Sequence, residues 1–201
     1  VNGFEKRRLQ KMQQIKQTAF SLFSKFGVQK VSIQDIAKKA NVSQVTIYNY
    51  FGSKDELLIE SLKEYLEEQL SLFLEVVESK RPFTDKIQQL FEMKIDTAKS
   101  FSPALVESLF MESGPTAELI QYYSEEKMFP QLMRLLDEGR EQGIITKTIS
   151  TETLLFLLNS MTAAVQQHPQ LFSTEEKTKE ISMEMLHFFF YGVMGREIEK
   201  D

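Results

Sequence analysis

The sequence predicts an all-α protein of about nine helices: a three-helix head carrying a helix-turn-helix, followed by a helical bundle. Three observations lead there. Apolar residues recur at intervals of three and four, with no convincing alternating strand and no two-residue hairpin signal. The 201 residues hold only 5 Pro and 8 Gly, too few for a sandwich with many turns. The segment 31–57, VSIQDIAKKANVSQVTIYNYFGSKDEL, reads as two short helices joined by a tight turn, then the capped start of a third.

The first helix is expected over 5–26. Leu9, Met12, Ile15, Ala19, Leu22, Phe23 and Phe26 form one apolar stripe, and Gly27 supplies the stop. Ser32 with Asp35 reads as a capping box, so the second helix starts near Ile33. Its apolar face is Ile33, Ile36, Ala37 and Ala40, with Ala37 small enough for a close crossing. Asn41 can take the left-handed turn conformation. Ser43 is a good N-cap for a third helix over 44–50. Val42 and Ile47 would lock the pair, leaving Gln44, Val45, Thr46, Tyr48 and Asn49 for solvent or a ligand. Gly52 permits the next turn, and Ser53 with Glu56 caps a fourth helix from Lys54 to about Ser79.

Beyond Pro82 further helices are expected over 84–101, 104–112, 116–142, 151–167 and from Ser173 to about Glu197. Ser102-Pro103 opens one of them, and Gly114-Pro115 breaks the chain before another. Pro130 predicts a kink, Gly143 and Pro169 are stops, and 144–149 is a candidate short extended piece. The expected division is a head of residues 1–53 and a body of residues 54–201.

Charge separates the same two parts. Residues 1–54 hold ten Lys or Arg against Glu5 and Asp35, a net of +8. The remainder holds fourteen basic and twenty-seven acidic side chains, a net of −13. A basic head attracts a polyanion while an acidic body repels it, which orients the approach. The alternative is that the two parts attract each other. Hydrophobic residues at 42% and charged residues at 26% are ordinary for a globular chain, and no apolar run approaches the roughly 20 residues of a membrane span. The first fifteen residues lack a secretory pattern, and Val1 in place of Met suggests a processed or non-standard start. With no Cys there is no disulfide framework and no thiolate metal site. The expected location is the cytoplasm.

Ala19, Leu22, Phe23 and Gly27, then Ser32, Asp35-Ile36-Ala37, Val42-Ser43, Tyr48, Tyr50-Phe51, Ser53-Lys54 and Leu57 resemble the N-terminal domain of the TetR family of bacterial transcriptional regulators. The match covers about the first third of the chain in fixed register. Asn41 departs from the usual Gly, but it is the next most tolerant residue there. The resemblance implies double-stranded DNA as a partner, a homodimer built from the last two long helices, and a small-molecule effector.

For DNA, Gln44 can pair bidentately with adenine, and Val45 and Thr46 can meet a thymine methyl. Asn49, one turn on, can reach a base or a phosphate, and Tyr48 and Tyr50 suit phosphate or sugar. By similarity to the family, Tyr48 and Lys54 contact the backbone, and Lys54 opens a helix whose free N–H groups already favour an anion. Ser32 and Ser43 are caps first and phosphate donors second. Lys6, Arg7 and Arg8 can form an arm along the backbone or into the minor groove, or simply a solvated helix end. Tyr50 and Phe51 have the alternative of packing the head.

One head reads too few base pairs for useful specificity. Leu154, Leu158, Met161 and Val165, with Met185 and Phe189, belong to helices apolar nearly all round, so they are the expected dimer interface; burial within one chain is the alternative. Phe91, Phe101, Phe110, Met111, Tyr122, Tyr123, Met128 and Phe129 are the candidate lining for a hydrophobic or amphipathic effector, with core packing as the plain alternative. No catalytic residues, metal ligands or cofactor are expected: His168 and His187 sit in no recognisable metal or triad spacing. The leading reading is a repressor released from a palindromic operator by its effector. The same fold also suits a DNA-bound scaffold that recruits a protein, or a helical binding protein whose head no longer touches DNA.

Overall fold

The computed structural model describes residues 3–110, 114–145 and 150–172, with residues 174, 176, 177, 180, 181, 183–185, 187 and 188. All regular structure among them is helical. The helices are α1 (Gly3–Phe26), α2 (Ile33–Lys39), α3 (Gln44–Phe51), α4 (Lys54–Val77), α5 (Phe83–Ser100), α6 (Pro103–Phe110), α7 (Pro115–Gln121), α8 (Phe129–Glu141) and α9 (Thr151–Gln167). A π-helical segment, Tyr122–Met128, joins α7 to α8, and a 3-10 turn, Pro169–Phe172, follows α9. The described residues between 176 and 188 that belong to an element are helical. Of the candidate extended piece, residues 146–149 lie outside the described residues.

The sequence predicts one helix kinked at Pro130; the structure widens the helix instead. Proline has no N–H to donate, and its ring collides with the carbonyl four residues back, at Glu126. Over Tyr122–Met128 the pairing shifts to the i→i+5 pattern, and α8 begins with Phe129 and Pro130.

Two compact units form, Val1–Ser71 with Ser100–Glu126, and Leu72–Lys99 with Lys127–Asp201. The first has one core. Ile15, Ala19 and Phe23 of α1 meet Ile33, Ile36 and Ala37 of α2, Ile47 and Phe51 of α3, Leu57, Leu58 and Leu62 of α4, and Leu105 and Leu109 of α6. Close approach of α6 to the end of α1 needs Gly27. A Cβ built there would lie 2.7 Å from the Ala104 Cβ, and its φ of +79° is one that L side chains rarely adopt. Beside it the Ser102 amide donates to the Ser24 carbonyl at 2.8 Å. Phe20, Tyr65 and Phe101 stack and tilt against one another with centroids 4.6, 5.3 and 5.9 Å apart. The Tyr123 hydroxyl donates to Glu67 at 3.2 Å; burial first, and the Glu67 carboxylate second, push its phenol up.

In the second unit Phe83 and Ile87 of α5 pack with Leu135 and Leu136 of α8 and with Ile145. Gly139 admits the Phe83 ring, whose atoms come within 2.6 Å of where a Cβ would sit. Lys86, 5% exposed, is held by the Glu138 carboxylate at 3.1 Å. Phe91, Ile95 and Ala98 form a further cluster with Ile181 and Met185.

Candidate nucleic-acid interface

The turn between α2 and α3 is built by local chemistry. The Ser32 hydroxyl accepts the Asp35 amide at 3.1 Å, and the Asp35 carboxylate accepts the Ser32 amide at 2.9 Å, the reciprocal capping box expected from sequence. Those Ser32 hydrogen bonds, side chain first and backbone second, hold the Asp35 carboxyl below its ordinary range. Asn41 takes the left-handed conformation with φ +53°. The Val42 amide then donates back to the Ala37 carbonyl at 3.0 Å.

Ser43 caps α3. Its hydroxyl accepts the Thr46 amide at 3.0 Å and lies 2.8 Å from the Thr46 hydroxyl. Helix α3 has eight residues, too short to be stable alone, and Ile47, fully buried, ties it to the core. Burying such a side chain is worth about 1.5–3 kcal/mol. At 3.6 residues per turn, Gln44, Tyr48, Val45 and Asn49 fall within one arc of about 140°. All four are exposed, Val45 at 65% and Tyr48 at 49%. The four side chains therefore share one exposed face of α3. Thr46 is half-buried, and its hydroxyl faces the Ser43 cap.

Gly52, with φ +76°, turns the chain into α4, and the Ser53 hydroxyl accepts the Glu56 amide at 3.1 Å. Lys54, half-buried, is the first residue of α4. Tyr50 is also half-buried, edge-on to Phe51 at 6.3 Å, so the packing alternative and surface access are both partly realised.

Lys6, Arg7 and Arg8 are the first turns of α1, which starts at Gly3, and so are not a free arm. No proline or interior glycine interrupts this run of good helix formers, so the helix continues through it. The Arg8 guanidinium lies 6.0 Å from the centre of the Tyr50 ring. Phe4, Arg7, Arg8, Gln10, Lys11, Gln14 and Tyr50 line an open groove of about 400 Å³. The basic run signalled the charge, but a pairing of residues 8 and 50 has no local signature.

The candidate effector residues do not gather in one unit. Phe101, Tyr122 and Tyr123 belong to the first, and Phe91, Met128 and Phe129 to the second. Tyr123 and Phe91 are buried, Tyr122 and Phe129 exposed. Met111 and the side chain of Phe110 lie outside the described residues. So do Phe189 and the side chains of Leu154, Leu158, Met161 and Val165. Met185 is half-buried against Phe91, Ile95 and Ala98. Described neighbours of the candidate dimer residues are exposed, Phe156 at 68% and Phe188 at 77%.

A sequence model described as bacterial regulatory proteins of the tetR family matches residues 15–60, the segment that builds this surface. The HTH-type transcriptional repressor SCO4008 of Streptomyces coelicolor is 29% identical over 158 residues, covering 77% of this chain and 78% of that protein. A transcriptional regulator from Saccharomonospora viridis, solved in complex with choline, superposes with a TM-score of 0.76 at 16% identity, covering 92% of this chain and 98% of the other. FadR from Bacillus subtilis, solved in complex with stearoyl-CoA, gives 0.69 at 19% identity, covering 92% and 99%. Among the described residues no helix is long and apolar enough to cross a membrane. A capped helix-turn-helix lies at the matched segment, and all described regular structure around it is helical, so the chain is similar over that segment to bacterial regulatory proteins of the tetR family and over about three quarters of its length to a transcriptional repressor.

Proposed function

We propose that the chain is a repressor that binds a palindromic operator as a homodimer in the cytoplasm and leaves it when a hydrophobic or amphipathic small molecule binds the body. Residues 1–53 act as the DNA-reading part and residues 54–201 as the effector and dimerisation part. The observation that carries this reading is the exposed arc of Gln44, Val45, Tyr48 and Asn49, rigidly mounted in the basic head. Gln44 and Asn49 offer paired donors and acceptors to base edges, and Val45 an apolar contact to a thymine methyl. Ser32, Ser43, Tyr48, Tyr50 and Lys54 flank the helix with hydroxyls and a cation suited to phosphates.

Two copies are needed because one two-turn helix reads few base pairs. Exposed Phe156 and Leu157 of α9, with Met183 and Phe188, support a self-complementary apolar surface around Leu154, Leu158, Met161, Val165, Met185 and Phe189. Release by a small molecule is supported by the likeness to regulators solved with stearoyl-CoA and with choline. An effector acts only through differential affinity: it must favour a body conformation in which the paired heads no longer fit one duplex. Helix α4, continuous from Lys54 to Val77, supplies residues to both units and is the proposed lever.

The test is selection of bound sites from random duplexes, followed by titration of the winning site. A two-fold symmetric consensus bound by two chains is expected. No enrichment over the starting pool, or an asymmetric site bound by one chain, overturns the reading. For the effector, a panel of fatty acyl-CoAs and quaternary ammonium compounds is screened for a shift in both melting temperature and operator affinity. A panel in which no compound moves both removes the sensing half of the proposal.

A further inference from the structure

Two sets among the six cations of α1 differ in their surroundings. Lys16 pairs with Glu64, so its charge is neutralised inside the first unit. One and more turns earlier, Arg7, Arg8 and Lys11 line the groove beside Tyr50, and no acidic residue lines it with them. None of the three pairs with a carboxylate among the described residues. On a helix of 3.6 residues per turn, Phe4, Arg7, Arg8, Gln10, Lys11 and Gln14 fall within an arc of about 160°. Arg7, Arg8 and Lys11 fall within about 100° of one another, on the side that carries Tyr50 of α3, whereas Glu5 and Lys6 lie outside that arc. Arg8 is further ordered by the Tyr50 ring, 6.0 Å from its guanidinium carbon.

Deepening the proposed operator binding and resting on it, we propose that this groove is a second phosphate site. It holds the duplex backbone just outside the bases that α3 reads. Arg7, Arg8 and Lys11 supply charge and Gln10 an amide donor, while the Gln14 amide, which donates to the Ala40 carbonyl at 3.3 Å, borders the site; the groove has room for a sugar-phosphate unit. Tyr50 belongs to α3 and lies about 100° further round the helix than Asn49, so the groove flanks the helix that carries the reading face, and a strand leaving that face would enter it. Guanidinium groups suit this task because their fork matches two phosphate oxygens. The ligand class is a phosphodiester, and the contact carries no base information.

The experiment uses the full chain and two duplexes. One ends at the last base pair that the selected site specifies, and the other carries about four further base pairs of arbitrary sequence on each side. The parent should bind the longer duplex at least about tenfold more tightly, with a steeper dependence on salt. In the double variant Arg7→Gln/Lys11→Gln that advantage should shrink below about threefold. Its salt slope on the long duplex should fall by about one to two for each head engaged. Arg8→Gln should reduce the advantage as well, and Lys16→Gln should not. An unchanged melting temperature confirms that the glutamines, which are good helix formers, leave α1 intact; if it falls, Arg7→Lys/Lys11→Arg, which keeps the charge and the helix, must restore the long-duplex advantage. The site is overturned if the variant keeps the parent's full advantage, or if it weakens equally on both duplexes. If the parent binds neither duplex in a salt-dependent way, the operator reading itself fails, which is a separate result.

Discussion

The Ser43 hydroxyl lies 2.8 Å from the Thr46 hydroxyl and accepts the Thr46 amide at 3.0 Å. One side chain thus satisfies a free donor at the start of α3 and engages the polar end of a residue on its surface. Ser43→Ala should cost about 1 kcal/mol, as helix caps do. For a chain of this size that lowers the melting temperature by about 2–4 °C. A thermal scan of the variant checks it, and an unchanged midpoint would show that the cap carries no weight.

Gln44, exposed at the first position of α3, is a base-reading residue in the proposed function. Gln44→Ala should lose roughly 1–3 kcal/mol on the preferred operator and accept other base pairs at the position it contacts. Repeating the site selection with the variant is the measurement. Full retention of the parent's discrimination would assign the reading to other residues or to DNA shape.

Lys54, at the first position of α4, is a phosphate ligand in this reading. Lys54→Ala should weaken binding to every sequence alike and flatten the salt slope by about one for each head engaged. A salt titration that superposes on the parent's would remove Lys54 from the interface.

Asp35 gives the head an acid limit. Its carboxyl is held below the ordinary range by the Ser32 hydrogen bonds, so the folded state favours the charged form. The stability it lends is complete above the ordinary carboxylate value, near pH 3.9, and is lost as pH falls through the lower folded value. Asp35→Asn removes the titration. Melting temperatures measured from about pH 6 to pH 3 should fall less steeply for the variant than for the parent; equal slopes would count against the linkage.

Gly27 and Gly143 separate two costs. Both have φ near +75°, at +79° and +70°. A Cβ at Gly27 meets Ala104 at 2.7 Å, whereas nothing lies within 4 Å at Gly143. Gly143→Ala should cost only backbone strain, about 1–2 kcal/mol. Gly27→Ala should cost about 1–3 kcal/mol more, through overpacking against α6. Urea midpoints of the two variants give the order, and the reverse order would mean that α6 yields easily.

What was legible in the sequence was local. Ser32 with Asp35, Ser43 and the left-handed Asn41 act within three or four residues of their own position, so the helix-turn-helix could be read residue by residue. Contacts across the chain left no such trace. Arg8 meets Tyr50, and Phe101 meets Phe20 and Tyr65, over separations that periodicity does not encode. Lys86 looks like any surface lysine until Glu138 is found beside it. Pro130 announced an irregularity, but a bend and a π-helical segment answer the same steric conflict, and the sequence does not choose between them. The candidate effector lining rests on composition, and composition is the same for an aromatic that lines a space and for one that fills it.

A surface carried on only two turns of helix is hostage to what lies beneath it. Genetic screens for derepressed alleles should therefore return Ile47, Ala37 and the capping serines about as readily as Gln44 or Lys54. Many such alleles would be temperature-sensitive, and raising the protein's concentration would rescue them, whereas loss of a base contact would persist at any temperature.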